Sequence, residues 1–402
     1  MKVGEAPRKT VDFIKKRFRD YYKSCELYLP DRFGRREFGF MFLDSDFVQR
    51  HLNFATKNEI RQFLVDRVPA HVYHSAAYYE KPGAPTMAQK IWLGSDLIFD
   101  LDADHIVHAK KMSYEQMLAE VKIEVERLMD DFLVKAFGFE EKDLIVAFSG
   151  GRGYHVHIRD PRIWTLLSHE RREIVDYILG TGIDEDAVFP KKPYDTTPYG
   201  TKYRFEKLSL EEEGWRGKIA RGMIEEVKRL KKMERREAIS RLKSFEGVGD
   251  SIAKEIYSIL FKGEEGKTGY DSLLEGNFDI FPKDRYLNRF KKGFLEVARE
   301  SMSGKTDEPV TSDIKRLIRL PSSLHGKTGF SVVLLTRSQL DDFDPLVDAV
   351  TSTWSDDLVV LRGKAKAEIR LKGETFNLKK DIVRLPEYVA IFFMCRGMAT
   401  LA

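Results

Sequence analysis

The sequence predicts a mixed α/β (α+β) protein, a mixed-sheet core interrupted by an inserted helical subdomain. Three observations predict it. Short stretches such as "SDLIFDLDAD" and "DLIVAFSGGRGYHVHIRD" have the apolar runs and alternation of buried strands. Stretches such as "SYEQMLAEVKIEVERLMDDFLVKAFGF" repeat apolar residues at helical spacing. Between about Tyr199 and Ser301 the chain turns rich in Lys, Arg and Glu and reads almost wholly helical, after which strand patterning returns. The division implied is 1–198 for the first part of the core, 199–301 for the insertion and 302–402 for the second part of the core.

In order, "RKTVDFIKKRFRDYYKSC" reads as a helix with Val11, Ile14 and Phe18 on one face. "RREFGFMFLDSDFVQRHLNF" mixes strand-like runs with a turn, and "ATKNEIRQFLVDRV" is a helix with a Thr or Asn cap. "AHVYHSAAYYEKPG" reads as a strand closed by Pro-Gly. "SDLIFDLDAD" is a buried strand, and the long helix after it opens at Ser113 and ends near Gly138. A strand, a turn and a strand follow, then a helix with Pro161 near its start and Gly180 near its end. "SDIKRLIRL" reads as a short helix capped by Ser312 or Asp313. "GFSVVLLTRSQL", "DLVVLRG", "KAEIRLKG" and "ETFNLKKDIVRLP" read as strands. The C-terminal "YVAIFFMCRGMATLA" is apolar enough to pack on the core or on a partner.

Composition narrows the function classes. The 402 residues carry a net charge of +4, which permits a nucleic-acid partner without demanding one. The two cysteines, Cys25 and Cys395, exclude a disulfide framework and an all-cysteine zinc knuckle, and suit a reducing interior. The N-terminus has no apolar signal core, and no run approaches the roughly 18 apolar residues of a membrane span. A soluble, cytoplasmic protein is expected.

Three stretches carry chemistry. In "FDLDADH", strand alternation turns Phe99 and Leu101 to one face and Asp100 and Asp102 to the other. Two carboxylates that close repel unless a positive charge joins them, and Mg²⁺ favours one or two carboxylates completed by substrate phosphate oxygens. The plainer reading is a solvated, acidic strand end. Asp104 shares the face only if the strand continues, and His105 and His108 read as loop or surface residues. In "AFSGGRGYHVHI", Gly150, Gly151 and Gly153 let backbone N–H groups approach an anion, Arg152 offers a fork for phosphate and Ser149 a hydroxyl. His155 and His157 share one strand face. No Gly-Lys-Ser/Thr ending follows, so this is no P-loop, and a bare hairpin is the alternative. In "TDEPVTSDIKRLIRLPSSLHGKTG", Asp307 supplies a distant carboxylate, and Arg319, His325 and Lys327 supply phosphate-binding groups. The alternative is a polar surface loop.

Taken in order, D-x-D after an apolar strand, S-G-x-R-G-x-H, and Asp307 ahead of "RLPSSLHGKTG" resemble the small, catalytic subunit of archaeal and eukaryotic DNA primases. "REFGFMF…RHLNF" also resembles that family, and the likeness spans most of the chain outside the insertion. The resemblance implies the archaeo-eukaryotic primase catalytic core with a helical subdomain. It implies two divalent ions, Mg²⁺ or Mn²⁺, on Asp100, Asp102 and Asp307, and incoming-nucleotide contacts from Ser149, Arg152, His155, Arg319 and His325. It implies primer synthesis from NTPs or dNTPs on a single-stranded DNA template, in a heterodimer with a primase large subunit. Many relatives carry a cysteine zinc knuckle after the first motif. Here "HIVHAKKM" runs directly into the long helix, so no structural zinc of that type is expected.

In the insertion, Lys228, Arg229, Lys231, Lys232, Arg235 and Arg236 form a basic run diluted by Glu225, Glu226, Glu234 and Glu237. It is either a solvated helix face or a DNA contact. "FEGVGDSIAKEI" resembles a helix-hairpin-helix element, or is a plain helical turn. Two rivals to the primase reading stand: a repair or gap-filling polymerase of the same superfamily, and a nucleic-acid-binding subunit with a degenerate site. The three acids argue against the second rival, because a binding module has no need of their mutual repulsion.

Overall fold

The computed structural model describes residues 6–105, 112–262 and 267–402. It has the α+β architecture predicted, in two compact units: residues 1–175 with 305–402, and residues 176–304. The segment expected as an insertion over 199–301 lies inside the second unit. Among the described residues no helix is long and apolar enough to cross a membrane.

The first unit is built on two four-stranded antiparallel sheets. One runs in the order Leu317–Arg319, His71–Ser75, Phe38–Met41, Val48–Leu52. The other runs Val333–Leu335, Leu144–Phe148, Gly153–Ile158, Leu97–Asp102. Strands 144–148 and 153–158 are apolar on their core face, with Val146, Phe148, Tyr154 and Val156 wholly buried. The helix Tyr114–Arg127 packs on strand 153–158 through Leu118, Val121 and Val125, then continues as a wider turn of helix over Leu128–Val134. Its start is set by a capping box, Ser113 accepting from Gln116 N–H while Gln116 accepts from Ser113 N–H. The helix Lys57–Arg67 is capped by Thr56 in the same manner, with Glu59 returning to Ala55 N–H. The first helix, Arg8–Ser24, buries Ile14, Phe18 and Tyr22, and Phe18 stacks on Trp354 at 6.1 Å. The C-terminal apolar run forms the helix Glu387–Cys395, every residue of which is buried in the core.

Two buried arginines meet the corner just before the acidic strand. Arg36, 1% exposed, donates to the Asp96 carboxylate at 2.6 Å and to the carbonyls of Ser75 and Ala76 at 2.6 and 3.1 Å. Tyr78 O–H donates to the other Asp96 oxygen. Arg171, on the helix Ser168–Leu179, donates to the carbonyls of Ser95 and Asp96 at 2.8 and 2.7 Å.

The second unit packs the helices Gly214–Lys232 and Asp284–Met302 against each other, with Gly222 facing Ala298. Arg235–Lys243, Asp250–Phe261 and Gly269–Leu274 complete a core around Ile219, Met223, Leu230, Ile256, Phe290 and Phe294. The "GVG" turn links two helices. Gly247 takes a left-handed φ of 71°, and a Cβ there would collide with the Arg289 guanidinium.

Several elements differ from the sequence reading. "SDIKRLIRL" is not a helix: the helix is Glu308–Ser312, begun early by Pro309, and Leu317–Arg319 form a strand because His71–Ser75 offers a pairing edge that buries Ile318. The helix expected from Pro161 begins at Ser168. Pro161–Ile163 is a single 3₁₀ turn, started by Asp160 as its N-cap, which accepts from Arg162 N–H, and separate from the helix at Ser168. "AHVYHSAAYY" makes two strands, broken at Ala76, whose N–H donates to Arg316 while its carbonyl accepts from Asp96. The segment from Tyr199 opens with a strand: Gly200–Phe205 pairs with Lys191–Thr197 as an exposed hairpin of Thr, Tyr and Lys.

Replacing Asp96 with Ala leaves the Arg36 charge buried without its partner. We expect a loss of about 3–5 kcal/mol of stability, read as the shift in the urea midpoint. A shift below about 1 kcal/mol contradicts this account of the corner.

Candidate active site

Strand Leu97–Asp102 ends at Asp102, and a 3₁₀ turn, Ala103–His105, follows. Phe99 and Leu101 are buried, while the Asp100 and Asp102 side chains keep 25% and 32% of their surface. Both line a cleft of about 660 Å³, together with Ser149, Arg152, His155, Arg319, His325 and Lys327. Asp104 stands off the strand in the 3₁₀ turn, and His108 lies outside the described residues.

Register brings the first two motifs together. His155 sits directly across from Asp100, with Nε2 3.5 Å from Oδ1. Burial first, then the charges of Arg319 and Arg316, push the His155 pKa down to about 3. The ring is therefore neutral, and the contact is polar rather than an ion pair. Among the described residues its Nδ1 is buried without a hydrogen-bond partner. Arg152 reaches back over the acids, at 3.3 Å from Asp102 and 2.7 Å from Asp104. Burial opposes the charged form of Arg152, but the Asp104 hydrogen bond and both carboxylate charges outweigh it and raise the pKa.

The glycine turn is shaped by the third motif. Gly150 has φ 75°, and a Cβ there would lie 2.7 Å from the His325 Cβ. A Cβ on Gly153 would collide with the Leu101 carbonyl of the next strand. Ser149 Oγ accepts from Gly151 N–H at 3.3 Å. Thr328 O–H donates to the Gly150 carbonyl at 2.6 Å, so its oxygen accepts from His325 Nδ1–H at 3.2 Å. The bare Nε2 of His325 is left beside Gly151.

Arg319 reaches the cleft from the edge of the other sheet. Its guanidinium lies 4.8 Å from the Tyr73 ring centroid and donates to His71 Nδ1, which also accepts from Gly326 N–H at 3.2 Å. His71 and His325 meet edge to face at 4.8 Å. Burial, reinforced by Arg319 and Lys327, holds both histidines well below the usual range.

Asp307 is placed differently. It precedes the helix Glu308–Ser312, its N–H donates to the Asp100 carbonyl at 3.0 Å, and it is not among the residues lining the cleft. Its backbone is thus bolted beside the acidic strand. Among the described residues, no three His, Cys, Asp or Glu side chains converge as a ready metal cage. The donors on offer are hard carboxylate oxygens in a cleft that Arg152, Arg319 and Lys327 also line. That set fits Mg²⁺ or Mn²⁺ of the kind whose shell is completed by a substrate.

Sequence reasoning missed His71 and Arg396. Arg396 packs against the Tyr114 and Phe392 rings at 5.1 and 5.3 Å and lines the cleft. The signal for it was a lone cation closing the apolar run "YVAIFFMCR".

Comparison with known proteins bears on this arrangement. The family model described as DNA primase small subunit matches residues 99–336. Curated relatives match nearly end to end. The DNA primase small subunit PriS of Methanocella arvoryzae is 41% identical over 96% of this chain and 97% of its own. That of Methanococcoides burtonii is 42% identical over 97% and 98%, and that of Natronomonas pharaonis 37% over 98% and 99%.

His71, His74, His157 and His325 are all held neutral, burial being the first cause. The unfolded chain takes up these protons near pH 6.5 while the native chain does not. The stabilising difference is therefore fully present above that pH and is lost as pH falls through it. We expect the thermal midpoint to drop steeply between pH 7 and 5, at about 1 kcal/mol per histidine by pH 5.5. A flat profile over that range contradicts the burial of neutral rings.

Proposed function

Since the chain belongs to the DNA primase small subunit family, we propose that it is the catalytic subunit of a DNA primase, making short primers on single-stranded DNA by template-directed nucleotidyl transfer from NTPs or dNTPs. The observation that carries the reading is the meeting in one cleft of seven of the eight motif residues named from the sequence: Asp100, Asp102, Ser149, Arg152, His155, Arg319 and His325. We place it in the cytoplasm, as a heterodimer with a primase large subunit and without a structural zinc of the cysteine-knuckle type.

Asp100, Asp102 and Asp307 would hold two divalent ions, Mg²⁺ or Mn²⁺, which when bound stabilise charge on phosphate oxygens and ease deprotonation of the attacking 3′-hydroxyl. The chain's own groups do the rest. Arg319 and Lys327 bring fixed positive charge to the triphosphate. Arg152, which spans Asp102 and Asp104, exchanges those carboxylates for phosphate oxygens, a match its planar fork suits. Gly150 and Gly151 let His325 pack close over the turn, so that its Nε2, the turn's backbone and the Ser149 hydroxyl can meet one anion. A phosphate oxygen arriving at His325 Nε2 favours a proton there, so His325 takes one up as the nucleotide binds. His155 stays neutral and orients Asp100.

The test is synthesis on unprimed single-stranded DNA with labelled nucleotides and Mg²⁺ or Mn²⁺, alone and with a large subunit, beside an Asp100→Ala, Asp102→Ala variant. Short products from the parent, reduced at least about 10³-fold in the variant, are expected. Extension only of existing primers favours a repair polymerase. Silence under every condition favours a degenerate binding subunit.

A further inference from the structure

The segment 358–386 carries eight Lys and Arg against three Asp and Glu, a net charge of +5 where the whole chain has +4. It folds into strands Leu358–Gly363 and Ile382–Pro386, which pair antiparallel, and between them a hairpin, Ala367–Leu371 with Glu374–Leu378. The inner face of the first pair, Leu361 and Leu385, packs on the buried helix Glu387–Cys395. The outer face is uncovered, with Leu358, Val360 and Ile382 exposed at 64%, 40% and 53%. Register sets Val360 beside Arg384 and Arg362 beside Ile382, so apolar and cationic side chains alternate across it.

The cations are unevenly employed. Arg370 is tied to Glu115 and Asp344, and Lys372 to Asp356. Arg362, Lys366, Lys379, Lys380 and Arg384 stand exposed. Of the three acids, Asp381 accepts from Ile382 N–H. Lys366, Lys379 and Lys380 line one shallow groove along the hairpin, where they outnumber the Glu368 and Asp381 carboxylates that line it with them. The surface is also connected to the cleft. Strand 382–386 runs directly into helix 387–395, and the residues at that helix's end, Cys395 and Arg396, line the cleft. Nine helical residues span about 14 Å, a few nucleotides of extended strand.

We propose that this basic sheet face is a binding track for the single-stranded DNA template. A row of exposed cations with interleaved apolar side chains suits a sugar–phosphate backbone and tolerates any sequence, and its place at the far end of the cleft helix lets it steady the strand whose bases are being copied. The inference rests on the primer-making reading of the cleft.

The experiment measures fluorescence anisotropy of fluorescein-labelled oligo(dT) with the full chain across a salt series. The variants are Lys366→Glu, Lys379→Glu, Lys380→Glu together, and the same three changed to Gln. The Glu set is expected to bind at least tenfold more weakly, with the log–log salt slope shallower by about 2, since each single-strand phosphate contact contributes about 0.7. The Gln set should fall between, and binding of a fluorescent triphosphate should stay unchanged in both. An unchanged affinity and slope in the Glu set overturns the proposal, as does a parent that does not bind oligo(dT). So does unchanged oligo(dT) binding in the Glu set when Leu358→Ser, Ile382→Ser abolishes association with a primase large subunit, which makes the face a protein interface. The Asp100→Ala, Asp102→Ala variant separates the two claims, because it should lose synthesis and keep oligo(dT) binding.

Discussion

The acidic strand depends on the corner that precedes it. Asp96 is buried, and a buried carboxylate is tolerated only when its charge is met and its oxygens are bonded. Arg36 and Tyr78 meet it from one side, while Arg171 takes the carbonyls of Ser95 and Asp96. Arg36 also holds the carbonyls of Ser75 and Ala76, where the chain passes from one sheet to the next. One buried charge pair thus ties the two sheets together at the residue before Leu97. From there alternation carries Asp100 and Asp102 to the cleft, and pairing with strand 153–158 sets His155 opposite Asp100.

What the cleft can do follows from how its charges are shared. Asp102 leans on Arg152, and Asp100 on a neutral histidine. Across from them Arg319 is half-buried against His71 and Tyr73, anchored by its ring contacts, and lines the cleft. Acids on one wall and cations on the other suit a ligand that is a triphosphate and a cation at once. Among the described residues, His155 Nδ1 has no hydrogen-bond partner, and His325 Nδ1 is engaged by Thr328, which turns its Nε2 toward Gly151.

Much of this was legible in the sequence because it is local. The capping box at Ser113, the Thr56 cap, the alternation through Asp102 and the Ser149–His155 hairpin need only neighbouring residues. The failures are long-range. Leu317–Arg319 has helical spacing, but its strand is made by pairing with residues 71–75. His71 is invisible as a site residue because the groups that place it, Arg319 and Gly326, lie 248 and 255 positions away. The hairpin from Lys191 was hidden by its charge, which resembles that of the helices beyond it.

The metal role proposed for Asp100 and Asp102 requires that they share a divalent cation with a nucleotide's phosphates. The most direct measurement is the Mn²⁺ paramagnetic resonance signal during titration with protein, with and without a non-hydrolysable triphosphate, for the parent and for Asp100→Asn, Asp102→Asn. Weak Mn²⁺ binding by the parent alone, at least tenfold tighter binding once the triphosphate is present, and loss of both in the variant are expected. Equal Mn²⁺ binding by parent and variant in the presence of triphosphate would contradict it.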